Sequence, residues 1–315
     1  MIMYRGIRRN VRQLLQSLVQ TLAINPYTRR VLNQIYFVLN YQQKNIVHRL
    51  FSRSFRNGRS INKSSVWTIE FLGKRLKLPL RVEQIIIDWD LALSVLGHEP
   101  EIKEIYSNLI RSAQRPDLFI DIGTNYGTHS LLFLLHGIDT ISFEPNTNCH
   151  NYFLETCKLN GITPHLEAVA LGNKASNIEL WFPKDETWLG SVDPRIKDTL
   201  QSQYTLTSQI VRVVKLDDYL ENFRGHRVLL KIDTEGSEYQ ILQGAIQTLQ
   251  ECKPLLMFEC LAGENRGDVF DLLDGQAYTI HNLAYNGSFT SPAHTHNSFV
   301  SSLQNNFVGL SKHSL

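Results

Sequence analysis

Apolar positions along the chain follow two periods, one helical and one of strands. Near the start, Ile7, Val11, Leu14, Leu18 and Leu22 recur at spacings of three and four, which predicts one face of a helix. Asn25-Pro26 ends it. A second helix is expected over about 27–41, with Val31, Ile35 and Val38 on one face. A third is expected over about 44–55, through Val47, Leu50 and Phe51. The stretch NGRSINKSS, 57–65, reads as a linker. Beyond it, VWTIEFL and RLKLPL read as short strands around Gly73, the apolar stretch 85–89 fits either period, and 99–113 reads as a helix.

From Leu118 onward short apolar runs alternate with helical patterns. Strands are predicted at Leu118–Asp121, Thr140–Glu144, about His165–Leu171, Val228–Asp233 and Leu255–Cys260. The intervening helices are expected at about 128–136, 148–160, 237–250 and 267–273. Gly137 and Gly161 stop the first two. Further strands are expected at Asn177–Phe182, Ile210–Val214, Tyr278–Leu283 and Asn306–Leu310; the rest of 175–210 reads as irregular. This alternation predicts an α/β fold, a mostly parallel sheet with helices on both faces. The expected organisation is a basic helical arm over 1–65, lead-in strands and a helix over 66–117, and a main domain over 118–315. No internal repeat is evident.

Charge divides the chain where periodicity does. Of 32 Lys and Arg residues, 12 fall in residues 1–65, a stretch without Asp or Glu; the remaining 20 face all 30 acids, a net of −10 for the rest. The basic arm suits a membrane surface, an anionic polymer or a protein partner. The competing expectation is a helical cap whose apolar face packs away and whose charges are merely solvated. Arg5, Arg8, Arg9 and Arg12 ahead of LLQSLVQTLAI imitate a signal or transit peptide, but the run holds two glutamines and lacks an A-x-A-like site. No apolar run reaches the roughly 20 residues that span a bilayer. Cys149, Cys157, Cys252 and Cys260 form no C-x-x-C pair, which disfavours a disulfide framework or zinc site and favours a reducing compartment. A cytoplasmic protein, with membrane-peripheral contact through the arm, is the expectation.

Chemistry concentrates at the C-terminal ends of the predicted strands, where open α/β sheets bind ligands. LFIDIGTNYGTHSLLF, 118–133, is a strand, a glycine turn and a helix start. Asp121 ends the strand, and Gly123, Asn125 and Gly127 lie in the turn. Glu144 ends the next strand 23 residues later, where an acid accepts ribose hydroxyls. The competing reading has both acids capping neighbouring helices. The turn reads D-x-G-x-x-x-G rather than the G-x-G-x-x-G that holds a pyrophosphate, and Asp121 would repel such an anion. S-adenosylmethionine, with its sulfonium and ammonium charges, suits the turn better. A nicotinamide oxidoreductase is disfavoured.

The second signature is VLLKIDTEGSEYQILQGAIQTLQECKPLLMFEC, 228–260. With DIGTNYGTHS, FEPN at 143–146 and AVALGN at 168–173, it resembles the FkbM-type methyltransferases over about 118–285. The residues carrying the likeness are Lys231-Ile232-Asp233, Glu235-Gly236, Glu238, Leu242, Gly244-Ala245, Pro254 and Glu259. The resemblance implies the seven-stranded class I methyltransferase sheet and methyl transfer from S-adenosylmethionine, usually to a hydroxyl oxygen. It implies that Asp121, Gly123 and Gly127 surround the methionine part of the cofactor, Glu144 holds the ribose with Asn146 beside it, and Asn173 reads the adenine. It also faces Asp233, Glu235 and Glu238 to the methyl group.

Methylating an alcohol needs a base, and a carboxylate among like charges suits the task. Asp233 and Glu235 are the candidates; Glu235 and Glu238 could instead stabilise a helix start, and Asp233, Glu235, Glu238 and Glu259 together could hold a divalent cation. A divalent metal is not the expectation. Lys231 is expected to pair with one of these acids. His129 and His281 could serve as a base, and His294 and His296, one residue apart, could chelate a metal, but a structural role is favoured for all four. WLGSV at 188–192, with Trp181 and Tyr204, lies where an acceptor pocket could form, although loop packing explains it as well. The acceptor expected is a hydroxyl of a sugar, glycan or secondary metabolite. Two further readings stay open: an RNA-directed methyltransferase using the basic arm, and a non-enzymatic module docking to a membrane or partner. IDTEG in place of an N-P-P-Y-like turn makes a nucleobase substrate less favoured.

Overall fold

The computed structural model describes residues 65–312 apart from 82–84, 184–188, 193, 264 and 285–288, together with positions 27, 31, 34–36, 38–40, 43, 46 and 47. The helix expected over 7–22, most of that over 44–55 and the linker before Ser65 lie outside the described residues. Positions 27, 31, 34–36 and 38 are helical, within the second expected helix. Chain contacts divide the protein into two compact units, residues 1–103 with 154–162, and 104–153 with 163–315.

In the first unit, β1 (Ser65–Phe71) and β2 (Lys74–Leu80) form an antiparallel hairpin, Phe71 facing Lys74 and Ser65 facing Leu80. Its two loop residues, Leu72 and Gly73, have φ of 51° and 79°. Two consecutive positive φ values match the right-handed twist of the strands. The ambiguous stretch after it is helical: α1 spans Ile85–Gly97. Its fully buried Asp88 accepts from the Arg81 backbone N–H at 2.6 Å and from the Arg81 guanidinium at 2.7 and 2.9 Å. A carboxylate with three donors and a bidentate arginine fork is one that burial tolerates. α2 follows at Pro100–Arg111, its residues from Glu104 onward belonging to the second unit.

The second unit holds β3 (Leu118–Ile122), α3 (Ser130–Leu135), β4 (Asp139–Phe143), α4 (Thr147–Leu159, shared between the units), β5 (His165–Glu167), β6 (Ala170–Leu171) and β7 (Ser176–Pro183). After these come α5 (Pro194–Gln201), β8 (Leu206–Val214), a 3₁₀ turn at Leu216–Asn222, β9 (Val228–Ile232), α6 (Glu238–Gln243) and α7 (Ile246–Glu251). β10 (Leu255–Glu259), α8 (Arg266–Gly275), β11 (Tyr278–Asn282), α9 (His296–Val300) and β12 (Asn306–Ser311) complete it. Seven strands form one sheet in the order β11-β12-β10-β9-β3-β4-β5, parallel except for β12, which runs antiparallel to both its neighbours. β3 and β9, at its centre, are buried at every position. Continuous apolar runs are what a parallel sheet covered on both faces requires. The expected α/β fold with a seven-stranded sheet is present.

Three expectations are corrected. The run His165–Leu171 is two strands, because Ala170 and Leu171 pair with Val213 and Val214 in a separate three-stranded sheet, order β6-β8-β7. The single helix over 237–250 is broken at Gly244-Ala245. There the backbone lies against Gly172, where a Cβ on Gly244 would come 2.0 Å from its carbonyl oxygen. Asp217 restarts the helix by accepting from the backbone N–H of Gln247 and Thr248 at 3.1 and 2.8 Å. The stretch 175–210, expected to be irregular outside its strand, contains α5 and the longer β8.

Arg266, only 2% exposed, ties the last elements together. Its guanidinium donates to the carbonyls of Cys260, Phe299, Ser302 and Gln304 at 2.6–3.3 Å, and to Asn305 Oδ1 at 3.3 Å, against the rings of Phe299 and Phe307. Arg266→Met keeps the apolar length and removes every donor. Stranding several buried carbonyls costs about 2–3 kcal/mol. Urea denaturation measures it, and an unchanged midpoint would show that water replaces the guanidinium.

Candidate active site

The C-terminal edges of β3, β4 and β9 meet at a set of acids. β3 and β9 converge so closely that Asp233 N donates to Ile122 O at 3.0 Å. A Cβ at Gly123, whose φ is +79°, would stand 1.8 Å from Asp233 O. Gly127, with the same φ, lies over the Phe153 ring, 2.1 Å from where its Cβ would be. Both glycines are therefore demanded by contacts within the chain, whatever the turn binds.

Asp121 is 1% exposed. Its Oδ2 accepts from Ser130 N at 3.1 Å and from Ser130 Oγ at 2.6 Å, and that hydroxyl continues to Ser142 Oγ at 2.8 Å. Its Oδ1 is buried without a hydrogen-bond partner. Half of the carboxylate thus caps α3, the competing reading, and the other half is left for a donor. Burial raises its pKa, opposed by the nearby Lys231 charge and by Ser130.

Glu144 is 7% exposed and clamps two loops. Oε2 accepts from Asn125 N and Oε1 from Asn146 N, both at 2.7 Å. Asn125 sits at φ +54°, unusual for a residue with a side chain, and this bond helps hold it there. Burial pushes the Glu144 pKa up to about 7, against the pull of the two backbone donors. Asn146 Oδ1 accepts from Asn148 N at 3.1 Å, which makes Asn146 the N-cap of α4. Asn173 lies six residues beyond the end of β5; it is exposed and donates to Gln243 Oε1 at 2.9 Å. The strand end beside Glu144 is Glu167, whose carbonyl accepts from Glu144 N at 3.1 Å. The expectation that Asn173 directly follows the third strand is corrected with the strand itself.

At the end of β9, the 4%-exposed Lys231 side chain donates to Asp233 Oδ2 at 2.7 Å, the pairing expected of it. Asp233 itself is 28% exposed. Glu235 has φ +56°, and Ser191 Oγ donates to its carbonyl at 3.2 Å. Glu238 is buried, and Oε1 accepts from Thr234 N at 3.0 Å, Thr234 Oγ1 at 2.8 Å and Gly236 N at 3.4 Å. It knots the 234–236 loop that precedes α6, and burial raises its pKa. Among the described residues, no three His, Cys, Asp or Glu side chains converge to hold a metal ion.

Ser191 pairs with Trp181 through two backbone bonds of 3.0 and 3.1 Å, which lays residues 190–192 beside the Glu235 loop. Trp188 lies outside the described residues. One face of Trp181 carries the Lys197 ammonium at 4.1 Å, which leaves it less open to a sugar ring. His129 Nδ1 bonds Tyr106 Oη at 3.0 Å in a buried aromatic cluster, and His281 and His294 bond neighbouring chain atoms. Ser130, Ser142 and Ser191 escaped the sequence reading, since a serine carries no signal until its partner is placed.

A seven-stranded sheet in this order, with acids closing its first two parallel strands, defines a class I methyltransferase. Residues 121–283 match the methyltransferase FkbM domain, and the chain belongs to that family of enzymes. No curated protein matches the chain. Solved structures similar to it include the methyltransferase FkbM from Methylobacillus flagellatus, 17% identical, covering 72% of this chain and 54% of that one with a TM-score of 0.39. A Thermus thermophilus 16S rRNA N2 G1207 methyltransferase is 8% identical, covering 80% and 51%, TM-score 0.38. A methyltransferase from Agrobacterium tumefaciens is 10% identical, covering 80% and 70%, TM-score 0.37. The chain spans about half the length of the first two. The fold rests on the strand order, and the family on the domain match.

S-adenosylmethionine, the family's cofactor, fits the donor set. Asp121 Oδ1 is a buried acceptor without a hydrogen-bond partner, suited to a donating cationic group, and Glu144 is a buried carboxylate at the end of the next strand.

Proposed function

We propose that the chain methylates a hydroxyl oxygen of a sugar, glycan or secondary metabolite. Glu144 takes the ribose hydroxyls, Asp121 faces the positive methionine end, and Asn125 and Asn146 present the loops on either side. When bound, the cofactor would supply an electrophilic methyl group, carried on its sulfonium, to the acceptor oxygen. The base is Asp233, and the observation that carries this assignment is its placement. It stands at the meeting point of β3 and β9, partly exposed, with one oxygen fixed by a buried lysine. That bond orients the carboxylate, so the second oxygen can receive the hydroxyl proton as the C–O bond forms. Glu235, in the same loop, lines the acceptor side; Glu238 holds the loop's shape. Asn173 serves at most the outer rim of the adenine site.

Calorimetric titration with S-adenosylhomocysteine tests the cofactor site, and a screen of hydroxyl acceptors by S-adenosylhomocysteine release tests the reaction. Asp233→Asn is expected to keep cofactor affinity within about threefold and to lower turnover by about 10²–10⁴-fold. Unchanged turnover would remove Asp233 as the base. No binding by well-folded protein would sink the whole reading.

A further inference from the structure

Polar side chains cross the centre of the sheet in one row. Lys231 of β9, Asp121 of β3 and Ser142 of β4 stand side by side in register, with Met257 and Leu166 as the next residues outward. All three are buried, and so is Ser130, the first residue of α3, which joins two of them. Burying such a row is costly unless its groups are paired.

Asp121 is paired through one oxygen alone. Ser130 gives its single hydroxyl proton to Asp121 Oδ2 at 2.6 Å. Ser142 is therefore the donor in its 2.8 Å contact with Ser130 Oγ. That donation polarises the Ser130 hydroxyl and strengthens its bond to the carboxylate. The Ser130 N–H adds a second donor to the same oxygen at 3.1 Å. Two donors on Oδ2 fix the rotation of the carboxyl group, and Oδ1 is left buried without a hydrogen-bond partner.

We infer that Ser130 is a positioning residue for the methionine end of the cofactor. It spends Asp121 Oδ2 inside the protein and so keeps Oδ1 for the ammonium group, with Ser142 backing it. The inference rests on the proposed placement of that ammonium at Asp121. An ammonium suits the leftover oxygen because it donates and carries positive charge, where a second carboxylate would be repelled. Ser130 also opposes the effect of burial on the Asp121 pKa, as the Lys231 charge does. Without the hydroxyl the carboxyl group can turn either oxygen to the Ser130 N–H, and a proton more readily occupies the place the ammonium would take.

The experiment is calorimetric titration of the full chain with two ligands. One is S-adenosylhomocysteine. The other is 5′-S-(3-carboxypropyl)-5′-thioadenosine, which lacks only the ammonium group. The unchanged chain should bind the first at least about tenfold tighter, and Asp121→Asn should remove most of that preference. Ser130→Ala should shrink the preference at least about fivefold, with affinity for the deaminated ligand kept within about twofold. A merely structural serine would weaken both ligands alike. Equal weakening, or an unchanged preference in Ser130→Ala, would overturn the inference. Urea denaturation checks that each variant is folded. Should Ser130→Ala not fold, Ser142→Ala decides: its preference should fall at least about twofold, and an unchanged one would overturn the inference. No preference in the unchanged chain would instead overturn the placement of the ammonium at Asp121, and the inference with it.

Discussion

Replacing Gly123 with alanine is expected to destabilise the protein by about 4 kcal/mol and to abolish cofactor binding in whatever remains folded. Two costs combine. The residue has φ +79°, where an L side chain is strained. The added Cβ would also meet Asp233 O at 1.8 Å and Asp233 C at 2.8 Å, both backbone atoms. A flexible side chain could swing aside, but a carbonyl at the end of a central strand cannot. Relief requires parting β3 from β9, the two strands that bring Asp121 beside Lys231 and Asp233. Chemical denaturation followed by calorimetric titration measures both effects. A variant of normal stability that binds S-adenosylhomocysteine normally would show that the two strand ends can separate freely.

Glu144→Ala is expected to weaken S-adenosylhomocysteine binding by about 10²–10³-fold. Two hydrogen bonds to an ionised acceptor disappear, and so does the clamp that holds Asn125 N and Asn146 N at 2.7 Å. Glu144→Gln separates the two contributions, since the amide oxygen can still meet one loop. The pKa of about 7 gives a further signature. Because the folded-state value is raised above the ordinary 4.5, Glu144 contributes stability in full below about 4.5 and loses it as pH rises through about 7. Ribose hydroxyls donate, so they favour the ionised carboxylate. Cofactor affinity should therefore rise with pH up to and beyond 7, with proton release near neutrality. In Glu144→Gln both the dip in stability and the rise in affinity should flatten. Affinity independent of pH in the unchanged protein would place the ribose elsewhere.

The parts of this fold that could be read from sequence are those whose causes are local. Leu118–Ile122, Asp139–Phe143, Val228–Ile232 and Leu255–Glu259 are apolar runs bounded by acids or turn residues, and each falls within one residue of its expected end. The acids Asp121 and Glu144 stood out because they close such runs. What stayed hidden depends on distant partners. The break at Gly244 exists because Gly172 lies against it, and the split between β5 and β6 exists because Val213 and Val214 recruit Ala170 and Leu171. Ser191 reaches Glu235 across 44 residues. That Glu238 Oε1 accepts from Thr234 N and Gly236 N, shaping the loop ahead of α6, is likewise a contact no spacing announces. Spacing shows where a carboxylate sits in the chain, but its hydrogen bonds decide what it is free to do.

The position of β12 has a kinetic consequence. It is last of the seven strands in the chain yet lies between β10 and β11, pairing Leu256 with Gly309 and Tyr278 with Ser311. β11 therefore has no place in the sheet until β12 has threaded in beside β10. During refolding the parallel core can assemble first, while the outer edge of β10 remains an open row of amides and carbonyls. Closing that edge is a late, non-local step, and it should set the slow phase of refolding. Until it closes, β10 offers a template for pairing between molecules, so aggregation on refolding should grow with protein concentration.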